Sequence, residues 1–157
     1  MEIIIDNLNE NNNLECEDND KWKPINFICR YSTENMINKI LDIYIEKNLD
    51  LECENNNKSR PIHLICKFST ENMINKILDM YVEKNLNLEC ENNKKMRPIH
   101  YICKYSTENM VNKIFDIYIE KNLDVEYKII YDETLKKLIH KNNKINNKNQ
   151  INLFNKN

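Results

Sequence analysis

The stretch "PIHLICKFSTENMINKILDMYVEKNLNLECENNKKMR", residues 61–97, decides the fold, because the chain has already written it once. Residues 24–60 match it at 28 of 37 positions without a gap, and residues 98–127 carry a third copy, "PIHYICKYSTENMVNKIFDIYIEKNLDVEY". Upstream, "LECEDNDKWK" at 14–23 mirrors "LECENNNKSR" at 51–60, and "IIID" at 3–6 resembles "KILD" at 39–42 once one residue is skipped. Self-similarity at a fixed period of this size is the mark of a repeat architecture. The expected organisation is a truncated unit over 1–23, then units at 24–60, 61–97 and 98–127. A degenerate capping helix over 128–141, with Asp132 or Thr134 as its cap, and a disordered Asn/Lys-rich tail over 142–157 complete it.

Within a unit the elements can be placed from local chemistry. Pro61 suits the first turn of a helix, where its missing N–H would be unsatisfied anyway, and a short helix over 61–68 buries Ile62, Ile65 and Cys66. Ser69 is expected to cap a second helix, with Glu71 in its first turn where negative charge is favoured. Met73, Ile74, Ile77, Leu78, Tyr81 and Val82 form one stripe at helical spacing. Asn85 follows Lys84 where the chain must turn left-handed, and Leu86 closes over the helix end. Residues 86–97 then run extended as a finger that returns to the next proline. The apolar surface of one such unit falls short of the cost of ordering its 37 residues, so units must stack into an all-α solenoid.

Composition narrows the function. The 157 residues carry a formal net charge of −2, no Gly and no Ala, and a heavy load of Asn, Ile and Lys that looks like AT-rich coding. No basic leader or long apolar run opens the chain, which predicts a soluble, intracellular protein whose 6 Cys are reduced thiols. Charge is asymmetric. Residues 1–133 hold 17 Lys+Arg against 25 Asp+Glu, whereas 134–157 hold 6 Lys and no acid. An acidic body disfavours nucleic acid, whose affinity comes largely from phosphate contacts; the basic tail leaves anion or nucleic-acid contact as a further alternative.

The units resemble the ankyrin repeat. Its T-P-L-H-x-A signature stands here as "RPIHLI" (60–65), "RPIHYI" (97–102) and, more weakly, "KPINFI" (23–28). The family period is 33; the four extra residues fall inside the second helix, where one added turn preserves its apolar face. By the resemblance, Asn48, Asn85 and Asn122 stand for the family's helix-ending glycine, and Asp50, Asn87 and Asp124 for its loop aspartate. The bulk repetition and Asn-rich style are similar to the divergent ankyrin proteins of large DNA viruses. The resemblance implies a non-catalytic protein-interaction module, monomeric and without a membrane segment, in the host cytoplasm if viral.

The His and Cys residues admit a second reading. Cys53, His63 and Cys66, then Cys90, His100 and Cys103, offer two sets of zinc-ligating types, which makes a metal or thiol-redox protein the alternative. Tetrahedral zinc wants four such ligands at close spacing. Each set has three, and Asn26 and Tyr127 occupy the matching posts in the other units. By the resemblance the cysteine columns stand for the family's small buried residues and pack as small hydrophobes, and the histidines stand for its structural histidine, hydrogen-bonding near the helix start, with no cofactor and no metal. With no Gly-rich phosphate loop, no nucleophile–base pair, and His140 alone beside Lys141, no enzyme is expected.

Positions that vary between near-identical copies are candidates for a partner surface. At the finger tips Trp22 corresponds to Ser59 and Met96, and on the first helices Phe27, Leu64 and Tyr101 form a column. In the family these regions line the concave groove that holds partners, so Trp22, Phe27, Leu64, Met96 and Tyr101 are the candidate contacts. Trp22 is read either as an exposed hot spot or as a ring lying back over Ile3–Ile5. A second column, Tyr31, Phe68 and Tyr105, is expected to pack between repeats.

Overall fold

The computed structural model describes residues 13–124. The expected truncated helix upstream of residue 13, the capping helix over 128–141, His140 and the tail lie outside the described residues. Among the described residues six helices alternate short and long: α1 (Pro24–Tyr31), α2 (Glu34–Glu46), α3 (Pro61–Phe68), α4 (Glu71–Glu83), α5 (Pro98–Tyr105) and α6 (Glu108–Glu120). No strand occurs among the described residues. The arrangement is all-helical and compatible with a helical repeat of period 37. The chain divides into two compact units, Met1–Tyr101 and Ile102–Asn157.

In the first unit α1 packs on α2 and α3 on α4, and across the copies α1 meets α3 while α2 meets α4. The core is the stripe expected of the long helices. Ile40, Leu41, Ile77, Leu78 and Tyr81 are fully buried, together with Ile25, Ile62 and Ile65 from the short ones. Met80, off the expected stripe, is buried as well, while Val82 is only half-buried. In the second unit Ile102, Val111, Ile114 and Tyr118 are buried at the corresponding positions.

Helix ends obey one rule in every copy. Asn48, Asn85 and Asn122 adopt φ of 51°, 53° and 53°, the left-handed region that Asn tolerates better than other residues with a Cβ. At the end of α4 the Leu86 N–H donates to the Tyr81 carbonyl at 2.8 Å and the Asn85 N–H to Val82 at 3.2 Å, the paired bonds of a Schellman motif. At the other end the expectation fails. The residue before α4 is Thr70, not Ser69, and its hydroxyl makes no cap bond; it donates to Glu34 of the preceding copy at 2.8 Å. Ser69 instead closes α3, its N–H donating to Ile65, and its Oγ is buried without a partner.

The fingers hold one another. The Asn56 N–H donates to the Asp20 carbonyl, and the Asn93 N–H to Asn57, each at 2.9 Å and a repeat apart. Each finger turns through a lysine in left-handed conformation, Lys21, Lys58 and Lys95 at φ 58°, 53° and 58°. The Asn55 side-chain oxygen receives the N–H groups of Asn57 and Ser59 at 2.9 and 3.0 Å, and Asn92 does the same for Lys94 and Met96 at 2.9 and 3.1 Å. These Asx-type bonds replace a backbone turn.

Candidate interaction surface

The short helices start alike because each carries its own cap three residues in. The side-chain oxygen of Asn26 receives the Lys23 N–H at 3.0 Å; Nδ1 of His63 and of His100 receive the Arg60 and Arg97 N–H at 3.0 and 2.8 Å. With Nδ1 accepting, the His63 proton sits on Nε2, which donates to the Cys90 carbonyl at 3.0 Å. Burial lowers the His63 pKa to about 4; the Cys90 carbonyl opposes that shift and Arg60 reinforces it. The grouping is therefore His63 with Cys90 of the following finger, Sγ at 3.8 Å, not with Cys53 and Cys66 as the sequence sets suggest. Asn26 meets Cys53 in the same way at 3.9 Å. Burial pushes the Cys53 and Cys90 thiols up to about 12 and those of Cys29 and Cys66 higher still. That environment suits packed thiols rather than thiolates.

Beyond the caps, the short helices present rings and cations. Trp22 turns back onto α1, its ring 5.0 Å from Phe27 and 6.4 Å from Tyr31, nearly parallel to the latter at 25°. The Arg30 guanidinium lies 5.6 Å from the Trp22 ring and 5.0 Å from each of Tyr31 and Phe68. Lys67 Nζ sits 4.7 Å from Phe68 and 5.7 Å from Tyr101. Tyr101 meets His63 edge-on at 6.2 Å, and its hydroxyl accepts from the Asn92 side-chain amide at 2.8 Å. Rings and cations thus alternate from Trp22 to Tyr101 without a break. Each contact contributes about 0.5–1 kcal/mol where exposed.

The five candidate residues separate on this surface. Phe27 is 43% exposed and Trp22 half-buried against it. Leu64 and Tyr101, at 5% and 7%, are buried but line a cleft of about 250 Å³ with Arg30, Lys67, Phe68 and Lys94. Met96 is half-buried at its finger turn and not part of that lining. The Tyr31 and Phe68 column does not pack ring to ring between repeats. Both rings are exposed, at 63% and 45%, with Arg30 between them. In the second unit Tyr105 is 53% exposed with Lys104 5.3 Å away.

Sequence reasoning missed Arg30 and Lys67. The signal was a basic residue directly before an aromatic one at the end of each short helix, "RY", "KF" and "KY" at 30–31, 67–68 and 104–105. Arg30 and Lys67 pair with no carboxylate among the described residues. The cations that precede the prolines, in contrast, are all held by acids: Lys23 by Glu15, Arg60 by Glu52 and Glu54, Arg97 by Glu89 and Glu91. Among the described residues no helix is long and apolar enough to cross a membrane, and no cluster of three or more His, Cys, Asp or Glu could hold a metal ion.

No family model matches the chain, and no curated protein does. Among solved structures, a chain of the complex between a predatory endopeptidase of Bdellovibrio bacteriovorus and its immunity protein aligns over 89% of this chain and 86% of that one. Identity there is 11% and the TM-score 0.38, too low to carry a structural or functional argument.

Proposed function

We propose that the protein is a non-catalytic protein-interaction module whose units stack as an ankyrin-type solenoid and whose short-helix face receives a protein partner. The observation that carries this reading is the run of rings on α1 and α3, where Phe27, Tyr31 and Phe68 stand 43%, 63% and 45% exposed. Aromatic side chains held by their neighbours and still open to water are what interface hot spots are made of. The ankyrin assignment is supported by the Pro-Ile-His start, the left-handed Asn after each long helix and the ladder between fingers. Thiols held well above their ordinary pKa, and a His63 ring with both nitrogens engaged, support a structural rather than a catalytic or metal-binding use of these residues. Buried thiols in every unit also fit a reducing compartment, hence a place inside the cell, the host cytoplasm if the chain is viral.

The test is affinity capture from cells of the natural host with the wild-type chain and with the Trp22→Ala/Phe27→Ala variant, helicity being checked by circular dichroism. A protein retained by the wild type and lost from an equally helical variant supports the module. Equal retention by both removes this face from the proposal.

A further inference from the structure

We infer that the cleft bounded by Arg30, Lys67, Phe68 and Lys94 takes an acidic segment of a partner protein, its carboxylates meeting the three cations and one apolar side chain entering between Leu64 and Tyr101. This rests on the interaction-module reading and specifies the chemistry of its partner.

Charge complementarity carries the inference. Residues 13–124 hold 19 Asp+Glu and 16 Lys+Arg, yet no carboxylate lines the cleft while Arg30, Lys67 and Lys94 do. Arg30 and Lys67 are also pre-positioned. Each is flanked by two or three rings, so less side-chain freedom is lost when a ligand docks. A guanidinium resting on ring faces still offers N–H groups at its edge, the geometry that receives a carboxylate. At about 250 Å³ the cleft is smaller than a typical cofactor pocket and suits a side chain.

A single-stranded nucleic acid fits less well. Base stacking needs ring faces free of other groups, and here Trp22 and Tyr31 lie nearly parallel to each other while Arg30 stands over one face each of Tyr31 and Phe68, rings that are otherwise exposed. Three cations also supply few phosphate contacts, and the exposed carboxylate of Asp20 lies on the adjoining finger.

The experiment is fluorescence-anisotropy titration of the full chain with three labelled probes: a 12-residue peptide of Asp and Glu around a central Leu, its Asn/Gln counterpart, and a 12-nucleotide single-stranded RNA. The acidic peptide is expected to bind at least ~tenfold tighter than its amide counterpart and than the RNA, and to weaken as salt rises. Arg30→Gln/Lys67→Gln should cost about tenfold in that affinity. Lys94→Gln, which disturbs no ring contact, should cost about threefold, and the charge-matched Lys47→Gln/Lys84→Gln variant, away from the cleft, nothing. Failure of the acidic peptide to bind, equal binding of the amide peptide, preference for RNA, or equal losses in the Lys47/Lys84 variant would each overturn the inference. A partner captured by the Trp22- and Phe27-dependent route would survive any of these, so the two readings fail separately.

Discussion

His63 reaches across the repeat to Cys90: its Nε2–H donates to the Cys90 carbonyl at 3.0 Å while Nδ1 takes the Arg60 N–H. The Nδ1 bond needs the neutral ring, and burial holds the folded pKa near 4 against an ordinary 6.5. The unfolded chain therefore binds the extra proton between those values, and stability rises with pH across that window. The contribution is complete above pH 6.5 and is lost as pH falls towards 4, a change on the order of 3 kcal/mol. Urea unfolding from pH 4 to 7 should show this slope, and His63→Asn, which keeps the cap as Asn26 does, should flatten it. An unchanged slope in the variant would assign the acid sensitivity elsewhere.

Tyr81 and Tyr44 tie α4 and α2 to the fingers before them. Their hydroxyls donate to the Leu51 and Leu14 carbonyls at 2.8 and 2.7 Å, with both side chains buried. Tyr81→Phe keeps the ring and leaves the Leu51 carbonyl unpaired in the core, so it should cost about 1–3 kcal/mol in chemical denaturation. A loss below half a kilocalorie would mean that water reaches that carbonyl.

How far the fold could be read from the sequence depended on which residue marked each boundary. Pro61 marked the start of α3 because its fixed φ suits a helix's first turn, and Asn85 the end of α4 because Asn tolerates the left-handed turn that follows. Ser69 misled because Ser and Thr stand side by side, and either hydroxyl could have capped; Thr33, Thr70 and Thr107 take the position before the long helix in each copy, and none of the three hydroxyls makes a cap bond. Lys21, Lys58 and Lys95 gave no sign of their left-handed φ, since Gly, the residue that normally announces it, is absent from the chain. At the candidate surface Trp22 and Phe27 were readable as odd members of their columns. Arg30 was not, because a lone cation before an aromatic reads as a solvated charge until the ring of the next repeat is seen beside it.

The Ser69 and Thr70 pair gives opposite signs to two small substitutions. Ser69 Oγ is buried and unpartnered, so Ser69→Ala should be neutral or stabilising by up to ~1 kcal/mol. Thr70→Ala removes only the exposed bond to Glu34 and should cost a few tenths of a kcal/mol, well under the ~1 kcal/mol of a true cap. Thermal melts of both variants decide it. A full cap-sized loss at Ser69 would restore it as the cap of α4.

The lysine at each finger turn is the wrong residue for its backbone. A side chain with a Cβ at φ 53° costs about 1–2 kcal/mol, and Asn relieves part of that, as the chain's own Asn48, Asn85 and Asn122 illustrate. Lys58→Asn should raise stability by about 0.5 kcal/mol, and Lys58→Val should lower it, because a β-branched residue is strained further there. Lys58 is exposed, so no packing change confuses the comparison of melting temperatures.

Thiol reactivity separates packed cysteines from reactive ones. Cys16 is exposed, whereas Cys29, Cys53, Cys66, Cys90 and Cys103 are buried, and burial raises Cys29, Cys53, Cys66 and Cys90 far above the range in which a thiolate forms at neutral pH. A disulfide-exchange reagent at pH 7.5 should label one thiol quickly in the folded protein and all six after unfolding. The slow phase should follow the rate of opening, and so accelerate in Tyr81→Phe, rather than the pH dependence of thiolate formation. A second fast thiol in the folded state would place one of the buried columns within reach of solvent and reopen the redox alternative.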